Sequence, residues 1–120
     1  MDLLAQGSAW LEDQRTRFMT RSVTYTRGSQ TVTVAATIGK STFDVADGDG
    51  AIIQLHTRDF LILAADLVLA GQRTTPHVGD RIHDAGVVFE VLAPGGEAPW
   101  RWSDPYRQTL RIHTKQVASE

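Results

Sequence analysis

Ser22-Val23-Thr24-Tyr25-Thr26-Arg27-Gly28-Ser29-Gln30-Thr31-Val32-Thr33-Val34 is the stretch on which the fold turns. Val23 and Tyr25 alternate with Thr24 and Thr26, and Val32 and Val34 alternate with Thr31 and Thr33. A period of two sends successive side chains to opposite faces of a strand, and β-branched residues suit that pleated surface. Arg27-Gly28-Ser29-Gln30 supplies the turn between the two runs. The stretch predicts a β-hairpin.

Working toward the C-terminus, a turn-rich segment runs from Asp44 to Gly50, followed by an extended run from Ile52 to Leu55. Asp59 to Val68 contains an apolar run that suits a strand or a buried helix, and periodicity alone leaves both open. Asp80-Arg81-Ile82-His83 leads through Asp84-Ala85-Gly86 into Val87-Val88-Phe89-Glu90-Val91-Leu92, a second hairpin. A Pro/Gly-rich loop from Pro94 to Pro105 precedes a last strand, Arg107 to Val117, where Leu110 and Ile112 alternate with Arg111 and His113.

Toward the N-terminus the period changes. Leu4, Leu11 and Phe18 recur every seven positions with Leu3 and Trp10 beside them, leaving Glu12, Asp13, Arg15 and Arg17 for solvent. That pattern predicts an amphipathic helix from Asp2 to about Thr20, with the Asp2 carboxylate at its positive end. Gly7 costs such a helix about 1 kcal/mol relative to Ala, so its apolar stripe needs a partner surface. The expected architecture is mainly β: a small β-barrel or sandwich of about six strands with an N-terminal α-helix. It forms a single domain over residues 1–120, with the helix in 1–20 and the barrel in 21–117.

Composition narrows the function. The 120 residues carry 42% hydrophobic and 22% charged side chains, ordinary globular values, and a net charge of −2. That balance argues against a chain built to coat nucleic acid. There is no cysteine, which removes disulfides, thiolate nucleophiles and Cys-ligated metal together. No apolar run reaches the roughly 18 residues of a membrane span, and the start lacks the pattern of a signal peptide. A soluble domain made in the cytoplasm is expected, with no membrane partner.

Chemistry-bearing motifs are sparse. Asp44, Asp47 and Asp49 cluster in a turn, but the twelfth position of an EF-hand loop counted from Asp47 is Arg58, where a bidentate acid belongs. The four histidines, His56, His77, His83 and His113, are too scattered for a metal motif, though His83 and His113 sit near the ends of expected hairpin partners. Ser103-Asp104 with His113 has the residue types of a hydrolase triad without its G-x-S-x-G elbow. Thr37-Ile38-Gly39-Lys40-Ser41 ends like a P-loop but has Val34 where the first glycine belongs. No enzyme activity, metal or cofactor is expected.

The richest stretch is Trp100-Arg101-Trp102-Ser103-Asp104-Pro105-Tyr106-Arg107, which holds two of the three tryptophans and two arginines. Trp, Tyr and Arg dominate binding hot spots because each buries much area for few rotatable bonds. Trp100, Arg101, Trp102, Tyr106 and Arg107 are therefore the candidate interface, with the alternative that one tryptophan plugs a barrel end. A small ligand- or peptide-binding β-barrel with this loop as its lid is the second functional reading.

Gly79-Asp80-Arg81-Ile82, Gly86-Val87-Val88-Phe89-Glu90-Val91 and Arg107-Gln108-Thr109-Leu110-Arg111-Ile112 together resemble the small head–tail joining (head-closure, or stopper) proteins in the necks of tailed bacteriophages. The chain departs from that pattern in its longer aromatic loop and more helical start. The resemblance implies a structural virion protein of the neck, made in the host cytoplasm. It would form a homo-oligomeric ring, commonly a hexamer, between the portal or adaptor and the tail, whose proteins are its partners. It implies too that packaged DNA passes through the channel without sequence-specific binding, which mild negative charge suits. On this reading Asp44, Asp47 and Asp49 are expected to face the channel, and Leu4, Leu11 and Phe18 to pack on the barrel or a neighbouring subunit.

Overall fold

The computed structural model describes residues 20–119, and the chain there is built of nine strands rather than about six. They are β1 (Arg21–Arg27), β2 (Gln30–Ala46), β3 (Ile52–Leu63), β4 (Val68–Leu69), β5 (Gln72–Arg73), β6 (Arg81–Asp84), β7 (Val87–Val91), β8 (Trp100–Trp102) and β9 (Thr109–Ser119). The expected helix from Asp2 to about Thr20, with Leu4, Leu11 and Phe18, lies outside the described residues.

Seven strands form one antiparallel sheet in the order β3-β2-β1-β6-β7-β9-β8, and β4 and β5 make a small separate ribbon. β3 also pairs with β9, so the ladder of β3, β2, β1, β6, β7 and β9 returns to its start. The opening hairpin has the expected register, with Val23 opposite Val34 and Tyr25 opposite Val32. The β6–β7 hairpin turns on Ala85 and Gly86, both in the left-handed region at φ 51° and 84°, as a two-residue type I′ turn requires.

Inside the ladder, alternation produces one core. Tyr25 pairs with Ile82 and Ile82 with Phe89, while Phe60 and Ile62 lie opposite Ile112 and Leu110. All are buried, and the Phe60 and Phe89 rings meet edge-on at 5.2 Å. Asp84 is buried at one end of this core with Arg21 at 3.5 Å and Arg58 at 3.9 Å. The Arg58 guanidinium lies over the Phe89 ring, 4.9 Å from its centre.

Two stretches differ from expectation. β2 does not stop at Val34 but runs 17 residues, changing partner from β1 to β3 between Ala36 and Thr37. The run open to strand or helix splits: Leu63 ends β3, Ala64–Asp66 makes one 3₁₀ turn, and Leu67 and Leu69 drop into the core. Beyond Arg58 and Thr114 the sheet divides. Ile52–Thr57 of β3 keeps β2 as its partner and has no rung to β9, so the β2–β3 hairpin projects as an arm.

Candidate functional site

The base of the arm is tied by a buried polar cluster around Asp59, a residue with no exposed surface. Its Oδ1 accepts from the Thr57 hydroxyl at 2.7 Å and faces His113 Nδ1 at 3.0 Å. Its Oδ2 accepts from Arg111 Nη1 at 2.8 Å and from the Ser41 hydroxyl. Burial pushes the Asp59 carboxyl up, but these donors outweigh it and hold the group down at about 2. Gly39, opposite Asp59 on β2, leaves room for Arg111: a Cβ there would stand 3.2 Å from Arg111 Nη1 and from Leu61. Phe43 of the arm then stacks edge-on against the His113 ring at 5.0 Å.

A second cluster pins the segment before β6. Asp80 is buried and accepts from the Tyr25 hydroxyl, from Arg27 Nε and Nη2, and from the His77 backbone N–H. Arg27 continues to the Thr74 hydroxyl and the Thr75 carbonyl. Burial opposes the Asp80 charge, yet Arg27, Tyr25 and the amide keep its carboxyl below the usual range. Burial and the neighbouring carboxylate push the Tyr25 phenol up. The Asp of the Gly79-Asp80-Arg81-Ile82 motif is thus a loop anchor.

The aromatic segment is not wholly a loop. Trp100, Arg101 and Trp102 form β8, opposite Ile112, Arg111 and Leu110 of β9. Both indoles are half-buried against the core, edge-to-face with each other at 5.1 Å, while Arg101 is exposed between them. Asp104 shapes the turn from β8 into β9: Oδ1 accepts the Gln108 and Thr109 N–H groups, and Oδ2 accepts that of Tyr106. This turn leaves Tyr106 half-buried and puts exposed Arg107 in the left-handed region at φ 56°, a strained conformation for a residue with a Cβ.

At the arm's tip, Asp47 Oδ1 accepts the N–H groups of Asp49 and Ala51. Asp47 therefore closes the turn, while Asp44 and Asp49 are exposed. Ile52 and Ile53 beside them are also exposed, at 67% and 51%. Among the described residues no His, Asp and Glu side chains gather as a metal site.

The other chemical groupings do not come together. His83 lies on β6 opposite Val88, which itself faces Ala118, whereas His113 is opposite Asp59 on the far edge of β9. Asp104 is occupied by backbone amides and His113 by Asp59, so Ser103, Asp104 and His113 form no triad. Gly39, Lys40 and Ser41 lie within β2 and make no phosphate loop.

Sequence reasoning missed Arg73. It lines a cleft of about 290 Å³ with Leu63, Ala64, Ala65, Arg107 and Gln108, and an adjoining one of about 370 Å³ with Trp102 and Leu110. An isolated Arg in a two-residue strand carries no sequence signal for such a role.

Fold and site define a mainly-β scaffold with half-buried aromatic and exposed charged side chains around a closed ladder of strands. The family model of the phage head-tail joining protein matches residues 1–120, the whole chain, and the chain belongs to that family of structural proteins. No curated relative matches it. Among the described residues no helix is long and apolar enough to cross a membrane.

Proposed function

We propose that this chain is a ring-forming connector of the tailed-phage neck, seated between the portal or adaptor and the tail. The observation that carries the reading is the family match along the full chain. The strand ladder that returns from β9 to β3 supports it by supplying a continuous antiparallel frame from which contact elements can be held out. In this reading the copies close into a homo-oligomeric ring, a hexamer in the family-based expectation. Portal and tail proteins bind its two faces, and the packaged DNA passes through the middle.

The segment from Trp100 to Arg107 forms one of these contacts. Arg101 stands between two tryptophans fixed against the core, and Pro99 and Pro105 bracket the segment. A backbone already restricted by proline and by the Asp104 turn loses little entropy on docking.

Complementation tests the proposal. Phage lacking this chain should accumulate DNA-filled heads that shed DNA and carry no tails, and added protein should restore joining and appear as a ring under the portal. Tail-bearing, infectious particles formed without the chain would overturn it.

A further inference from the structure

The arm's acidic tip and the arginine cleft lie at opposite ends of the same strand. β3 begins at Ile52, just after the tip, and ends at Leu63, on the wall of the cleft. Twelve residues at about 3.3 Å each separate the two features by roughly 40 Å, along a molecule whose longest dimension is 52 Å. Tip and cleft of one copy do not meet.

Each feature lacks what the other has. Arg73 and Arg107 line one cleft, both exposed, and among the described residues neither has an ion pair or side-chain hydrogen bond. Asp66, exposed on the adjoining 3₁₀ turn, pairs with neither. Between the arginines the walls are apolar, from Leu63, Ala64 and Ala65. The tip carries exposed carboxylates on Asp44 and Asp49, with Asp47 holding the turn between them, and the exposed apolar side chains of Ile52 and Ile53 come next in the chain. Cations over an apolar floor face carboxylates beside an apolar ridge.

Resting on the ring reading above, we propose that the tip of one copy seats in the Arg73–Arg107 cleft of the next, a head-to-tail contact between copies of this chain. The two surfaces are different patches of the chain, so the contact is heterologous, the kind that generates rings when its rotation closes. Arg107 is held in its left-handed conformation by the Asp104 turn, which fixes the direction in which its side chain leaves the backbone.

Sedimentation velocity on the full chain tests this with two charge reversals, Arg73→Glu/Arg107→Glu and Asp44→Lys/Asp49→Lys, whose folding is checked by far-UV circular dichroism. The wild-type chain should self-associate with rising concentration at low salt and less at about 0.5 M salt. Each reversal alone should lose about tenfold or more in association constant. An equimolar mixture of the two should associate again, because acidic tip meets basic cleft and basic tip meets acidic cleft in alternation. A monomeric wild type, reversals that associate like wild type, or a mixture that stays monomeric overturns the contact; reversals that associate like wild type are the result expected of a tip that lines the channel instead. Joining of heads to tails by wild-type protein is measured separately, so a failed contact is distinguishable from a failed neck assignment.

Discussion

His113 meets Asp59 through Nδ1 at 3.0 Å although the two stand 54 positions apart in the chain. The pair joins β9 to β3 where the arm leaves the sheet, and Ser41 and Arg111 draw β2 and a second β9 residue onto the same carboxylate. Each oxygen is doubly engaged by protein groups, so the buried charge is fully partnered.

This arrangement sets an acid limb to stability. The Asp59 carboxyl lies at about 2 in the folded chain against an ordinary 3.8. A depressed folded value stabilises above the unfolded value and is lost as pH falls through the folded one. Asp59 should therefore contribute about 2 kcal/mol near neutral pH, fading between about pH 5 and pH 2. Urea unfolding across that range should show the slope, and Asp59→Asn should flatten it while lowering stability at pH 7.

Removing Asp80 should be more damaging than its place in a loop suggests. Asp80→Ala leaves the Arg27 guanidinium and the buried Tyr25 hydroxyl without their shared acceptor. A loss of about 3–5 kcal/mol is expected, read as a lower denaturation midpoint. Arg27→Met with Asp80→Ala should recover part of it, because no charge is then stranded.

Arg101→Ala and Trp102→Ala should part company. Arg101 is exposed, so its truncation should change stability by less than about 0.5 kcal/mol while reducing incorporation into particles. Trp102 packs on the core and on Trp100, so its truncation should cost about 2 kcal/mol of folding stability as well. Thermal unfolding beside particle incorporation separates the two effects.

Gly95→Ala should loosen the arm. Gly95 sits at φ 56° in the turn Pro94–Gly96, and a Cβ there would come 2.9 Å from Val45 Cγ2. Left-handed strain and the clash together should cost about 1–3 kcal/mol. Adding Val45→Ala should relieve the clash and leave the strain. Hydrogen exchange at the amides of Phe43 to Leu55 reports the difference.

Calcium should leave the tip unchanged. Asp47 spends Oδ1 on two backbone amides and Arg58 occupies the place of a bidentate acid. Thermal unfolding with millimolar calcium should match that in chelator, whereas a raised midpoint would show a site.

Much of this architecture is written in local pattern. The two short hairpins arise from period-two alternation and from Gly28 and Ala85-Gly86 at their turns, features carried by neighbours in sequence. The arm was not legible, because Gly39, Lys40 and Asp44 are residue types depleted in strands. Gly39 is there to let a side chain from β9 cross, and Ser41 to reach Asp59, reasons that exist only after folding. Asp59 and Asp80 likewise look like surface residues until their arginine partners, more than 50 positions away, arrive. Trp100 and Trp102 were legible as a binding-type cluster but not as a strand, since three residues among prolines show too little alternation. Arg73 and Arg107 become one feature through the fold alone.

Over Arg58–Leu61, β3 is bonded on both flanks, to Thr37–Lys40 of β2 and to Arg111–Thr114 of β9. Hydrogen bonds in an antiparallel ladder lie across the strand axis. Tension applied along that axis is therefore shared by every rung on both sides at once, and the strand slips when they fail together. A sideways tug on the arm meets one rung at a time and peels it. The chain is thus stiff along β3 and compliant across it, so in the proposed tip-to-cleft contact force passing between copies would travel in the stiff direction.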